Sequence, residues 1–132
     1  MVAGGAVITV ARLAALPLGV EHGWRKAVLA VVLGPILEEV IFRGYLMSLA
    51  LRLMRLARLS SSAVSVLSVA ALFALAHLGT AGITVLQLAC IASTGCLYGW
   101  IRVRFESTAA AALAHAMYNL ALYLSHWFGD LR

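Results

Sequence analysis

Charged residues are scarce in this sequence. Of its 132 residues, 11% are charged and 64% are hydrophobic, whereas a soluble domain has about 25% charged residues. So few charges cannot cover a water-facing surface, which excludes an ordinary soluble domain and indicates an integral membrane protein whose partner is the lipid bilayer. The net charge of +5 comes from basic residues that lie between apolar segments. They do not share one polar face, so we expect no nucleic-acid partner.

Several familiar sets of catalytic residues are absent as well. The only aspartate is Asp130, which excludes an aspartyl pair. The zinc signature His-Glu-x-x-His does not occur. Ser93 and Ser125 lack the Gly-x-Ser-x-Gly elbow of a serine hydrolase. Cys90 and Cys96 lie in one apolar segment, and we interpret them as packing residues.

Apolar segments long enough to span a bilayer recur along the chain. About 20 residues cross the hydrocarbon core, so the sequence predicts an all-α, polytopic transmembrane bundle of about five helices, forming one domain over residues 1–132. The predicted helices cover residues 2–20, 26–51, 63–78, 83–101 and 108–128. The first is weak, because it is rich in glycine and contains Arg12 and Pro17. The motif-bearing core is therefore about 26–128.

Arginines indicate the orientation of the bundle. They cluster at 52–58 and 102–104, which we interpret as two loops separated by two helices and hence on one side. Basic loops face the cytoplasm in membrane proteins, so we expect both loops to be cytoplasmic. The preference for arginine over lysine and the high alanine content favour a prokaryotic plasma membrane.

Three charged residues lie inside the second apolar segment. A charge at mid-bilayer costs at least ~2.5–3.5 kcal/mol on insertion scales, so Glu38, Glu39 and Arg43 need a reason to be there. Glu39 and Arg43 are four residues apart and can neutralise each other on one helix face. Glu38 points about 100° away from Glu39 and is left over. A lone mid-membrane carboxylate is a candidate functional residue.

Two histidines and an asparagine lie in later segments. His77 ends the third segment, and His115 and Asn119 are one turn apart in the fifth. Each alone could equally be a hydrogen bond between helices. Polar groups in hydrocarbon seek one another, so together with Glu38 they predict one wet cavity. Pro35 frees the carbonyl four residues back and kinks the helix there, which would help to open that cavity.

Two chemistries remain open for such a cavity. A glutamate can act as general base on a water while histidine and asparagine donate to a developing oxyanion. Alternatively, Glu38, His77 and His115 could bind zinc with one open position. We favour the first, with no cofactor. Counting 1.5 Å per residue from the arginine side places Glu38 about 21 Å deep and His115 only about 12 Å deep, a mismatch that the fold must remove.

Three short motifs resemble those of the CAAX-processing and bacteriocin-processing (CPBP, or Abi) family, which includes the CAAX prenyl endopeptidase. The motifs are Glu38-Glu39-Val-Ile-Phe-Arg43, Phe73-Ala-Leu-Ala-His77 and His115-Ala-Met-Tyr-Asn119. Their order and their placement on successive hydrophobic helices match the family. Family members usually carry more helices before the first motif, so we expect this chain to be a fragment or a minimal core.

The resemblance implies an intramembrane endopeptidase that acts on a peptide or a membrane-associated protein. Glu38 would activate the water, His77 would help to hold it, and His115 and Asn119 would stabilise the oxyanion, with Glu39 and Arg43 as supporting residues. Family members are often labelled metalloproteases, which keeps the zinc alternative open. The rival function is non-catalytic: a bacteriocin immunity or scaffold relative, or a small proton-coupled carrier.

Overall fold

A computed structural model describes residues 24–59 and 61–129, and all regular structure in these ranges is helical. The first helix continues without a break from 24 to 56. It comprises α1 (Trp24–Val28), π1 (Leu29–Leu33), α2 (Gly34–Glu39), π2 (Val40–Leu46) and α3 (Met47–Leu56), and it is followed by α4 (Ser62–Ala76), α5 (Val85–Phe105) and α6 (Thr108–Gly129). Within the described residues the all-α prediction is confirmed, with four helices where the last four apolar segments were placed. The weak segment 2–20 lies outside the described residues.

Membrane crossing is a separate question from helix content. Within the described ranges, no helix combines the length and the apolar character needed to cross a membrane. The polytopic transmembrane arrangement therefore stays a prediction.

The arginine clusters do not lie in loops as predicted. Arg52 and Arg55 belong to α3, and Arg102 and Arg104 lie in the last turn of α5; of the clustered arginines only Arg58 follows a helix end. Cations are favoured near a helix C-terminus, where the carbonyl dipoles point. The helices therefore continue past the apolar segments into basic residues, which a prediction based on apolar runs leaves out of the helices. The cytoplasmic placement of 52–58 and 102–104 stays a prediction.

Specific residues end the helices and begin the next ones. Arg58 and Glu106 have positive φ angles of 56° and 50°, a left-handed conformation that stops helix propagation. Thr84 and Gln87 form a capping box at the start of α5. The Ser107 hydroxyl accepts a hydrogen bond from Ala110 N at 3.1 Å, which caps the start of α6.

Glycines bring α4 and α5 into close contact. A Cβ added at Gly95 would lie 3.2 Å from the Phe73 ring and 3.3 Å from Ala70, and one at Gly99 would lie 3.0 Å from Val66. Small residues spaced four apart let helix backbones approach each other. The Gly95-x-x-x-Gly99 pattern therefore serves close helix packing, and the approach brings the Gly95 carbonyl within reach of the first helix.

The first helix extends well beyond the start of α6. Thr108, the first residue of α6, lies beside Gly44, since a Cβ added there would be 3.8 Å from its side chain. Arg102 Nε donates to the Arg43 carbonyl at 3.2 Å, at the same level. Glu38 is six residues before Gly44, and His115 is seven residues after Thr108. At 1.5 Å per residue, Glu38 and His115 therefore lie about 9 and 10 Å from the shared level of Gly44 and Thr108. The predicted difference in depth between Glu38 and His115 was wrong, because it assumed that the loops after the second and fourth apolar segments lie at the same level.

Candidate active site

Glu39 and Arg43 form a closed, buried ion pair. Arg43 Nη1 donates to Glu39 Oε1 at 2.8 Å, and neither side chain has any exposed surface. They lie one helical turn apart on the face that contacts α5 and α6. The structure thus has the pairing that the sequence spacing predicted.

Arg43 also connects the first helix to its neighbours. Its Nη2 donates to the Gly95 carbonyl of α5 at 2.8 Å. The guanidinium lies 4.5 Å from the centre of the Phe73 ring and 5.4 Å from that of Tyr98, both within cation–π range. A buried cation with one carboxylate partner, one carbonyl acceptor and two aromatic faces fixes the relative positions of three helices.

His115 lies between the two glutamates. Its Nδ1 is 3.0 Å from Glu39 Oε1, and its Nε2 is 3.8 Å from Glu38 Oε2. Because a carboxylate oxygen next to Arg43 accepts hydrogen bonds, Nδ1 carries the proton and donates to Glu39. Glu39 therefore sets the orientation of the imidazole and directs Nε2 towards Glu38.

Glu38 is the open counterpart of Glu39. Its side chain is 37% exposed, and the His115 contact at 3.8 Å is an ion-pair distance rather than a hydrogen bond. The carboxylate borders a cavity of about 320 Å³. It therefore has space beside it for a small molecule such as water.

His77 has a defined tautomer at the end of α4. Its Nδ1 is 2.8 Å from the Phe73 carbonyl. A carbonyl only accepts, so Nδ1 carries the proton, and a neutral ring then has Nε2 as a hydrogen-bond acceptor. His77 borders the same cavity as Glu38, where such an acceptor can bind a water hydrogen.

Asn119 connects α6 to the first helix. Its Nδ2 donates to the Ala30 carbonyl in π1 at 2.8 Å. The amide has a second N–H and an oxygen, and the residue also borders the cavity.

One cavity thus brings together Glu38, His77, His115 and Asn119, the four residues to which the sequence assigned catalysis. Glu39 and Arg43, assigned a supporting role, lie directly behind His115. The cavity wall comes from all four helices and the loop before α5. Its residues are Ala30, Gly34, Pro35, Glu38, Phe73, His77, Thr80, Ile83, Gln87, Cys90, Ile91, Thr94, Tyr98, His115, Tyr118, Asn119 and Leu122.

The zinc alternative fits this arrangement poorly. Among residues 24–59 and 61–129, no three histidine, cysteine, aspartate or glutamate side chains are gathered closely enough to hold a metal ion. Glu38 and His115 approach each other, but His77 does not complete a set with them. The three residues do not form a ready-made tetrahedral site.

Sequence reasoning missed Tyr98. Its ring stacks on His115 with centroids 4.7 Å apart and planes 18° from parallel, and only 1% of the residue is exposed. Phe73 contacts the edges of both histidines, with centroids 4.8 Å from His77 and 5.8 Å from His115. Nothing in the sequence distinguishes Tyr98 from other aromatic residues, because its role depends on the packing of α5 against α6.

In this all-helical protein, one cavity is lined by a carboxylate, two imidazoles and a carboxamide. Residues 20–121 match the family model described as type II CAAX prenyl endopeptidase Rce1-like, and the chain belongs to this family. Members of the family are integral membrane proteins, and membership supports an endopeptidase activity on a peptide or protein substrate. No curated protein and no solved structure matches the chain.

Proposed function

We propose that this protein is an intramembrane endopeptidase of the CAAX-protease type, in which Glu38 activates the hydrolytic water. The observation that carries the proposal is the contrast between Glu38 and Glu39 around His115. Glu39 is fully buried, with its Oε1 held by Arg43 and His115, whereas Glu38 is open to the cavity. A general base must reach its water directly or through one intervening molecule, and of the two glutamates only Glu38 borders that space.

The reaction consumes one water for each peptide bond. Glu38 removes a proton from water, the resulting hydroxide attacks the scissile carbonyl carbon, and the carbonyl oxygen becomes an oxyanion. Collapse of this intermediate breaks the C–N bond, and Glu38 passes the proton to the leaving amine. His77 contributes an acceptor nitrogen that orients the water.

His115 and Asn119 are the proposed oxyanion donors. Since Nδ1 of His115 already donates to Glu39, Nε2 can donate only when the ring is an imidazolium. Asn119 offers its second amide N–H. Preorganised donors of this kind are worth ~2.7–4 kcal/mol each.

The bilayer is the proposed environment of the reaction. The scarcity of charge and the many large apolar side chains exposed along the helices support this placement. The proposed mechanism uses water and protein groups alone.

A substrate trap tests the proposal. Glu38→Gln keeps the shape of the side chain but removes the base, so a variant expressed in native membranes should hold an uncleaved precursor that can be crosslinked and identified by mass spectrometry. Glu106→Gln is the matched control, because Glu106 is an exposed residue at the end of α5. Capture of the same proteins by both variants, or by neither, would contradict the proposal.

A further inference from the structure

Backbone hydrogen bonding in π1 leaves one carbonyl without a backbone donor. Gly34 N donates to the Leu29 carbonyl, five residues back, which is the π-helical register. In this register the next donor would be the N–H of residue 35, and its acceptor would be the Ala30 carbonyl. Residue 35 is proline, which has no N–H. The sequence expectation that proline frees the carbonyl four residues back is therefore corrected to five.

The freed carbonyl is the one that Asn119 binds. Asn119 Nδ2 donates to Ala30 O at 2.8 Å, across 89 residues of sequence. Pro35 is buried, and Ala30, Pro35 and Asn119 all border the cavity. Gly34 suits the π-helical turn itself, because a Cβ there would lie 3.0 Å from the Leu29 carbonyl of the same helix.

We infer that Pro35 is a positioning residue that acts through Asn119. By removing a backbone donor, Pro35 makes Ala30 O an acceptor for one N–H of the Asn119 amide. That bond fixes the amide plane and leaves the second N–H with a defined direction. The positioning of Asn119 by Pro35 does not depend on the proposed function. Only its consequence, that the second N–H donates to the oxyanion, rests on that function.

Replacement of Pro35 by alanine should release Asn119. The new N–H would bond Ala30 O if the π register persists. If the turn reverts to α-helix, Gly34 N would bond Ala30 O instead. In either case a backbone donor competes with the side chain for Ala30 O. The variant gains a backbone hydrogen bond in a helix interior, so it should fold.

Asn119 is the only asparagine in the chain, which permits a direct test by NMR. Selective ¹⁵N-asparagine labelling in detergent micelles yields one side-chain NH₂ group. In the wild type its two protons should differ widely in chemical shift, with one protected from solvent exchange. In Pro35→Ala both should move towards free-amide values and exchange quickly. Leu37→Ala, at an exposed position of the same helix, is the control and should keep the wild-type signals.

Retention of the wild-type Asn119 signals in Pro35→Ala would overturn the inference. A second measurement separates this failure from failure of the proposed function. With a quenched-fluorescent prenylated CAAX peptide as probe, Pro35→Ala should lower kcat by up to about 10²-fold at similar KM. The double variant, which carries both Pro35→Ala and Asn119→Ala, should have the same kcat as the single variant Asn119→Ala. Altered NMR signals with unchanged kcat would uphold the positioning role and remove Asn119 from the mechanism.

Discussion

Glu38 and Glu39 are adjacent in sequence but occupy opposite environments. Glu39 is fully buried, and its Oε1 accepts from Arg43 at 2.8 Å and from His115 at 3.0 Å. Glu38 is 37% exposed, and its His115 contact is longer, at 3.8 Å. The α-helical turn of about 100° per residue is enough to place one carboxylate among three helices and the other on a cavity. The difference teaches that residue type alone does not make a site: of these two carboxylates, only the open one is available to a water.

The largest expected effect comes from breaking the buried Glu39–Arg43 ion pair. Arg43→Ala would leave Glu39 buried without its main partner, which typically costs about 3–5 kcal/mol. Folded yield in membranes should fall sharply, and activity with it. Arg43→Lys should be milder but not silent, because one ammonium cannot match a guanidinium that serves both Glu39 and the Gly95 carbonyl. Normal abundance and full activity of Arg43→Ala would remove its supporting role.

A large effect on turnover, but not on folding, is expected at the cavity that Glu38 borders. Asn119→Ala should lower kcat by roughly 10²–10³-fold through loss of an oxyanion donor. Abundance should change much less than in Arg43→Ala, since Asn119 is only partly buried. The measurement is turnover per folded molecule, with folded protein quantified by size-exclusion chromatography. A loss of yield without a loss of kcat would show that the Ala30 bond is structural only.

A smaller effect is expected at His115, which lies between the two glutamates and stacks on Tyr98. The Tyr98 hydroxyl is buried, and its interaction with the Thr94 side chain does not reach hydrogen-bond geometry in the described part of the chain, so Tyr98→Phe should keep both stability and turnover near wild-type values. Tyr98→Leu removes the stacked ring, a contact worth about 0.5–1.5 kcal/mol beyond buried area, and should lower both. A large loss of kcat in Tyr98→Phe would instead assign the hydroxyl a direct role.

Chelation should have the smallest effect. If Glu38 acts on water without a metal, a strong zinc chelator should leave turnover of purified, detergent-solubilised protein unchanged. Metal content measured on the same sample is the control. Stoichiometric zinc, with activity lost on chelation and restored by zinc, would contradict the metal-free mechanism and make Glu38, His77 and His115 candidate ligands.

Much of this arrangement follows from the cost of polar groups in an apolar sequence. Helix positions were predicted to within a few residues, because apolar runs and their breaks mark them. Glu38, His77, His115 and Asn119 were identifiable as cavity residues because few other polar groups lie in these segments. The Glu39–Arg43 pair followed from helical spacing.

The remaining features depend on packing, which periodicity does not encode. The level of α6 relative to the first helix is set by Thr108 against Gly44. Arg43 bonds the Gly95 carbonyl only because the α4–α5 contact brings that backbone close. The π register before Pro35 decides which carbonyl Asn119 meets. Each is a relation between elements distant in sequence, so no local pattern could have predicted it.

The most direct test of the account compares Glu38→Gln with Glu39→Gln in one preparation, measuring cleavage of the prenylated CAAX probe and thermal unfolding for both. Glu38→Gln should abolish turnover and leave Tm near the wild-type value, because its carboxylate is open to the cavity. Glu39→Gln should lower Tm markedly, because Arg43 loses its buried counter-charge, and should retain measurable turnover in the molecules that fold. Wild-type turnover in Glu38→Gln, or a complete loss in well-folded Glu39→Gln, would contradict the assignment of chemistry to the first glutamate and support to the second.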